Sequence, residues 1–180
     1  MSLHDSAVAE LTGWTAPNRA QSALRTSYLR HLRDHRDALS RECHPDHLTA
    51  SLLVIDASRE RVLLNLHARY RIWVQFGGHC EAADRSLSAA ALREGIEESG
   101  IAELRLVAGS GPAQLSRHEV RCGPVRPSHH LDVRYLAVAP DRAEPVTSSE
   151  SLDVRWFDVE DLPAGLEAEL EDLITLARQL

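Results

Sequence analysis

Three glutamates, Glu94, Glu97 and Glu98, lie close together at spacings of three and four residues. In an α-helix, at about 100° per residue, these spacings place all three within about 100° of one another on the helical wheel. Like charges so spaced cost a helix roughly 0.2–0.5 kcal/mol per pair. Carboxylates that point in one direction suit a hard divalent cation such as Mg²⁺ or Mn²⁺, which relieves the repulsion. The segment therefore predicts a carboxylate metal site on a helix face.

The residues around the glutamates predict a glycine loop, a helix and its end. Gly77 and Gly78 allow the backbone to come close to an ion or a phosphate, or to adopt a positive φ. Gly100 stands where a C′ glycine ends a helix. The face of the helix opposite the glutamates is expected to pack in the core through Ala89, Leu92 and Ile96.

The stretch from Gly78 to Ile101 resembles the Nudix box, whose pattern is G-x5-E-x7-R-E-U-x-E-E-x-G-U, with U a bulky aliphatic residue. The residues that match are Gly78, Arg93, Glu94, Glu97, Glu98, Gly100 and Ile101. Asp84 stands in place of the first glutamate, and eight residues instead of seven separate it from Arg93. The box is thus one residue longer than the family pattern, which leaves the role of Asp84 open.

A second departure from the pattern is Gly95, which replaces the aliphatic residue. We expect it to remove a small packing contact and to cost the helix up to about 1 kcal/mol relative to Ala.

The resemblance implies an α/β fold, the Nudix-type α/β/α sandwich with a mixed β-sheet. We assign residues 1–47 to an N-terminal helical extension packed on the domain and residues 48–180 to the Nudix hydrolase domain. The extension has no counterpart in a minimal Nudix fold.

The resemblance also implies a hydrolase of phosphoric anhydride bonds. It implies a metal-dependent pyrophosphohydrolase that cleaves a nucleoside diphosphate linked to another moiety, with water activated at a Mg²⁺ or Mn²⁺ site. Glu94 and Glu98 are the first expected metal ligands, Glu97 is the next, and Gly78 could add its backbone carbonyl. The catalytic residues expected are these three glutamates and Glu150, a candidate general base in the loop before the last strand.

Two residues are predicted to bind substrate. His79 follows the glycine pair and could reach a phosphate, and Arg93 is the second candidate. For Arg93 the family position favours pairing with a carboxylate of the box over contact with phosphate. Cys43, His44 and His47 form a compact group near the end of the extension, but a fourth zinc ligand at regular spacing is missing, so we interpret the group as a loop.

The remaining chain predicts the elements that position these residues. Helical spacing indicates one or two helices within residues 1–45, and Pro163 is expected to open a C-terminal helix with Leu166, Leu170, Leu173 and Ala177 on one face. Apolar or alternating runs predict strands at residues 48–57, 61–70, 103–109, 114–120, 129–140 and 152–159, and in the segment 72–81 a strand leads directly into the glycine loop.

Composition limits the function further. The net charge of −7 over 180 residues argues against binding to a nucleic acid polymer, because no basic excess exists to neutralise a phosphate backbone. The sequence contains no lysine, which excludes a lysine Schiff base or a P-loop lysine within it and fits a GC-rich bacterial genome. The three cysteines are too scattered for a disulfide framework, and no apolar run suggests a signal peptide or a membrane span, so we expect a cytoplasmic protein.

We therefore expect a small-molecule partner, a nucleotide or other diphosphate, and no membrane partner. A homodimer stays open, since dimers are common in the family. One alternative is a Nudix-like domain that binds a nucleotide or regulates without cleaving it. Others are a different reaction on the same fold, such as isoprenoid diphosphate isomerisation, and a purely structural protein. No motif downstream of the box names the substrate.

Overall fold

The computed structural model of the chain describes residues 1–107, 109, 111–120, 124–147 and 151–179. Within these ranges lie, in chain order, α1 (Leu3–Gly13), α2 (Arg19–Asp34), β1 (Asp46–Ile55), β2 (Arg61–His67), β3 (Trp73–Val74), β4 (Phe76–His79), α3 (Leu87–Ser99), β5 (Arg105–Leu106), β6 (Gln114–Val120), β7 (Ser128–Val138), β8 (Ser151–Asp158) and α4 (Ala168–Arg178). No helix in the described ranges is both long enough and apolar enough to cross a bilayer.

β1 is the central strand of one mixed sheet. It runs parallel to β7 over its whole length, from Asp46 opposite His129 to Ile55 opposite Val138. Its other edge is shared, because β4 pairs with residues 49–52 and β2 pairs with residues 54 and 55, both antiparallel. The far edge of β7 is likewise shared by β6 and β5, while β8 and β3 pair with β2. The predicted mixed sheet is confirmed.

Helices cover both faces of this sheet. Alternate residues of β1 point to opposite faces, so Leu52 and Val54 join a core with α1, α2 and α3, while Leu53 and Ile55 join a second core with α4. The structure thus confirms the predicted α/β/α sandwich with N-terminal helices.

Some element boundaries differ from the sequence predictions. β1 begins at Asp46, because its pairing with β7 continues to His129. α2 ends at Asp34, and the chain then turns back to β1, where the Leu48 N–H donates to the Ala38 carbonyl at 2.8 Å. α4 begins at Ala168, not at Pro163, since Gly165 has a φ of 83° and interrupts the helical run. Leu166 therefore precedes α4.

The orientation of α3 also differs from the prediction. Its buried positions include Leu87, Ala91, Gly95 and Glu98, whereas the expected core residues Ala89, Leu92 and Ile96 are half-buried. Leu92 and Ile96 still pack against the core, as predicted. A Cβ added to Gly95 would lie 2.4 Å from Cδ2 of the buried Leu52. The expected loss of a packing contact at Gly95 is wrong, because the absence of a side chain lets α3 approach β1 closely.

The second N-terminal helix, α2, covers the open edge of β6. The Gln21 side chain acts as a pairing strand would: its Nε2 donates to the Leu115 carbonyl at 2.9 Å, and its Oε1 accepts from the Leu115 N–H at 2.7 Å. The buried Tyr28 hydroxyl donates to the Ser116 carbonyl at 2.6 Å. These contacts occupy backbone groups that an exposed edge strand would offer to another chain.

Glu10 links α1 to the start of α3. Its carboxylate accepts hydrogen bonds from the Leu87 N–H at 3.2 Å and from the Tyr135 hydroxyl at 2.7 Å. Burial and the Glu10 carboxylate raise the pKa of Tyr135 well above its usual range, so the hydroxyl stays a donor. A negative charge at the N-terminus of α3 also interacts favourably with the helix dipole. The extension thereby helps to fix the helix that carries the glutamates.

We predict that Glu10→Ala lowers the free energy of unfolding by about 2–4 kcal/mol, because two buried donors lose a charged acceptor. The matched control is Glu42→Ala at an exposed position, with an expected change within about 0.5 kcal/mol. Chemical denaturation followed by circular dichroism measures both. Equal losses in the two variants would contradict the bridging role of Glu10.

Candidate active site

α3 begins and ends at residues suited to those positions. The Ser86 hydroxyl caps its N-terminus by accepting from the Ala89 N–H at 3.0 Å. Gly100 at its C-terminus has a φ of 71°, a left-handed conformation that favours glycine. The helix packs against β1 and β4, and its position brings the glutamates to the backbone of β4.

Glu94 lies directly against the backbone of Gly78. A Cβ built on Gly78 would meet all three atoms of the Glu94 carboxylate at 2.8–2.9 Å. Any side chain at position 78 would therefore displace the carboxylate. Glycine at this position leaves a cradle for the carboxylate beside the main chain of β4.

Glu98 is the buried glutamate of the three, with 9% of its surface exposed. One of its carboxylate oxygens accepts a hydrogen bond from the Gly77 N–H at 2.9 Å. Gly77 itself has a φ of 152°, and a Cβ there would lie 2.4 Å from Ser51 Cβ on the paired strand β1. The glycine pair thus lies within β4 and not in a loop, and close strand and helix packing explains both glycines.

Arg93 holds the acidic residues together. Its guanidinium donates to Asp84 at 3.0 and 3.1 Å, to Glu94 at 3.0 Å, to Glu97 at 3.1 Å and to the His79 carbonyl at 3.0 Å. Hydrogen bonds to Asp84 and the neighbouring charge of Glu94 raise the pKa of Arg93 despite its burial. All five of these hydrogen bonds join the Arg93 side chain to other residues of the box.

Asp84 is the residue whose role the sequence left open. Burial alone would raise its pKa, but hydrogen bonds from Arg93 and from the Glu81 N–H lower the pKa overall. Asp84 therefore stays ionised as a two-oxygen partner of Arg93, an arrangement that fixes both side chains. The extra residue of the box had hidden this pairing, because Asp84 lies one position away from the family spacing.

The donor set suits a hard cation. Glu94 and Glu98 offer carboxylate oxygens from α3, and Gly78 on the adjacent strand β4 has a backbone carbonyl. Mg²⁺ and Mn²⁺ prefer such oxygen ligands. The cradle at Gly78, which any Cβ would fill, keeps the Glu94 carboxylate at the backbone. Glu97 is more exposed, with 60% of its side chain open to solvent. The residues present thus fit a divalent metal.

The other predicted site residues fall in different places. Glu150 lies outside the described residues. The His79 carbonyl accepts from Arg93, but its side chain lies 3.1 Å from His47 on β1, and burial lowers the pKa of His79 to about 4. At neutral pH this imidazole is therefore uncharged, and a contact with substrate phosphate stays a prediction.

A buried polar network on the opposite face of the sheet was not predicted. Asp132 on β7 accepts from Thr49 Oγ1 at 3.0 Å, from Ser51 Oγ at 2.7 Å and from Arg134 Nε at 3.1 Å. Gln114 on β6 extends it by accepting from Arg134 at 2.8 Å. The signal was the alternation of polar residues at positions 47, 49 and 51 of β1, and again at positions 130, 132 and 134 of β7.

Comparison with known proteins gives a family. The model of the family described as "NUDIX domain" matches residues 45–177, which is more than half of the chain. No curated protein matches the sequence significantly.

Several solved structures share the fold. A hydrolase of the NUDIX family from Clostridium perfringens superposes with a TM-score of 0.60 at 23% identity, over 74% of this chain and 96% of that one. The dihydroneopterin triphosphate pyrophosphohydrolase of E. coli gives a TM-score of 0.57 at 18% identity, over 71% and 91% of the two chains. The Ap4A hydrolase of C. elegans gives 0.56 at 19% identity, over 72% and 93%.

These structures share the fold, and the family match spans the strand, helix and glycine pair that carry the carboxylates. The chain belongs to the Nudix hydrolase family.

Proposed function

We propose that this protein is a metal-dependent pyrophosphohydrolase that cleaves a nucleoside diphosphate linked to another moiety. The observation that carries the proposal is the placement of Glu94 and Glu98 against the backbone of Gly78 and Gly77. Packing two carboxylates against a strand made of glycines does not stabilise the fold by itself, so a purely structural role does not explain this arrangement.

Glu94 and Glu98 would hold Mg²⁺ or Mn²⁺, with the Gly78 carbonyl and then Glu97 as further ligands. Such an ion, when bound, neutralises the charge on diphosphate oxygens and activates water. Arg93, which Asp84 holds in place, keeps Glu94 in position before a cation binds, because the guanidinium offsets part of the repulsion between the carboxylates.

Proton transfer from the attacking water is assigned to a carboxylate. Glu97 is the most solvent-exposed of the three glutamates on α3, and one of its carboxylate oxygens accepts a hydrogen bond from Arg93. Glu150 is the alternative outside the box. Measuring kcat of Glu97→Gln and of Glu150→Gln distinguishes the two candidates, because only the variant that lacks the general base loses turnover.

The substrate is expected to be a small phosphorylated molecule. The solved relatives are named for different substrates, Ap4A, ADP-ribose and dihydroneopterin triphosphate among them, and each name belongs to its own protein. A panel should therefore include dinucleoside polyphosphates, nucleotide sugars such as ADP-ribose and nucleoside or pterin triphosphates.

We predict that Glu98→Gln lowers kcat/KM at least about 100-fold on any substrate of this panel that the protein cleaves with Mg²⁺ or Mn²⁺. Loss of one carboxylate charge weakens the cation site, although the amide oxygen can still accept from the Gly77 N–H. Release of phosphate or nucleoside monophosphate measures the rate. The matched control is Glu103→Gln, an exposed change outside the motif, which should retain full activity.

Two outcomes would count against the proposal. Equal activity of the Glu98→Gln and wild-type proteins would remove Glu98 from the site. Nucleotide binding without cleavage of any panel compound would favour the non-catalytic binding domain.

Arg93→Lys gives a second prediction. A lysine has one point-like donor group and cannot contact Asp84, Glu94 and Glu97 together. We expect a drop in kcat of about 10–100-fold and a lower melting temperature, with KM nearly unchanged. Arg105→Lys, an exposed change on β5, is the control. If Arg93 instead binds substrate, KM will rise while the melting temperature stays the same.

A further inference from the structure

A row of histidines crosses four strands on the face of the sheet away from α3. His47 on β1 lies opposite His130 on β7, and His130 in turn lies opposite His118 on β6. His79 on β4 pairs with Thr49, one step along the same face of β1. Because Gly78 faces the Glu94 carboxylate and successive residues of a strand alternate, the His79 side chain lies on the other side of β4 from the glutamates.

Three of these imidazoles converge. The ring centres of His47, His79 and His130 are 4.9, 5.0 and 5.1 Å apart, so they form a nearly equilateral triangle. One ligand atom from each lies within 4.8 Å of the other two, and Nε2 of His79 is 3.1 Å from Nε2 of His47. In a tetrahedral zinc site, nitrogens bound at 2.0–2.1 Å are about 3.3–3.4 Å apart. The separation of the His47 and His79 nitrogens is thus already close to the spacing in a zinc site.

Hydrogen bonding already orients one ligand. Nδ1 of His47 lies 3.1 Å from the Cys43 carbonyl, which can only accept, so Nδ1 carries the proton. In a neutral ring Nε2 is then unprotonated, and it is this atom that points at His79. Metal-bound histidines typically donate their second N–H to a carbonyl or a carboxylate in this way.

His130 supplies an independent sign of a missing ligand. Its Nε2 is buried, and among the described residues it has no hydrogen-bond partner. A buried polar atom without a partner costs free energy, and a metal bond would remove that cost.

We propose that His47, His79 and His130 bind a Zn²⁺ ion, at a site separate from the carboxylate site on α3. Three imidazoles without a carboxylate select a borderline ion such as zinc over Mg²⁺ or Mn²⁺. Three protein ligands leave a fourth position for water, for a ligand oxygen or for His118, whose ring centre is 5.6 Å from that of His130. The ion links β1, β4 and β7 and so stabilises the strand that carries Gly77 and Gly78.

A second group of metal-type side chains lies nearby and serves as the internal comparison. His35, Asp37 and Cys43 also have ligand atoms within 4.8 Å of one another, but two of the three are exposed. Burial raises the pKa of the Cys43 thiol to about 11, which disfavours the thiolate form that binds zinc. The predicted group of Cys43, His44 and His47 is thus divided, with Cys43 and His47 in different clusters.

The experiment is metal binding by the full chain after removal of any affinity tag. Protein stripped with a chelator is titrated with Zn²⁺, and separately with Co²⁺ as a spectroscopic probe, in excess Mg²⁺ that occupies the carboxylate site. We expect one equivalent of tightly held zinc, a visible Co²⁺ spectrum of the intense tetrahedral type and a higher melting temperature with zinc. X-ray absorption of the zinc-loaded wild-type protein should show imidazole nitrogens at about 2.0 Å.

Four variants locate the ion. His130→Ala and His79→Ala should each lose at least about 100-fold in zinc affinity, whereas His35→Ala in the other cluster and Glu98→Gln in the carboxylate site should bind zinc as the wild type does. Circular dichroism checks that each variant folds, and the wild-type absorption spectrum decides the matter if the two alanine variants do not. Absence of stoichiometric zinc in the wild type, sulfur ligation, or loss of zinc in His35→Ala or Glu98→Gln alone overturns the proposal.

Discussion

The close approach of α3 to β4 is the constraint on which the candidate active site depends. A helix carrying three carboxylates can lie against a strand only if the strand yields space and supplies donors. Gly78 yields the space for Glu94, and the Gly77 N–H is the donor to Glu98. Gly95 likewise leaves space on the helix, which the Leu52 side chain of β1 occupies. Arg93 then offsets the charge that this packing concentrates.

The two faces of the central strand β1 carry different kinds of side chain because they pack against different surroundings. Its even-numbered residues from Leu48 to Val54 pack against α1, α2 and α3, while its odd-numbered residues change from polar to apolar along the strand. Leu53 and Ile55 lie under α4, but Thr49 and Ser51 bond Asp132, and His47 belongs to the histidine row. The buried Thr49, Ser51 and Asp132 side chains are tolerated there because they hydrogen-bond to one another. The glycine strand β4 separates this network from the glutamates.

The N-terminal helices contact both the sheet edge at β6 and the helix α3 that carries the glutamates. Gln21 and Tyr28 cover the edge of β6, and Glu10 reaches Tyr135 and the first turn of α3. A segment that the family pattern does not require thus contributes to the position of the helix that the pattern does require. The segment between α2 and β1 adds the Cys43 carbonyl that orients His47.

The sequence by itself determined the helix of the box, its end at Gly100, the strand segments that form β1 and β2, and the family, because these follow from local spacing. Only the tertiary structure decided that Asp84 pairs with Arg93, that Gly95 packs on Leu52 and that His47, His79 and His130 meet. The partners in these contacts are 9, 43 and up to 83 residues apart in the chain, as counted from the sequence. The register between β1, β4 and β7 sets the contact of the three histidines, and a one-residue shift of a strand would turn its side chains to the other face.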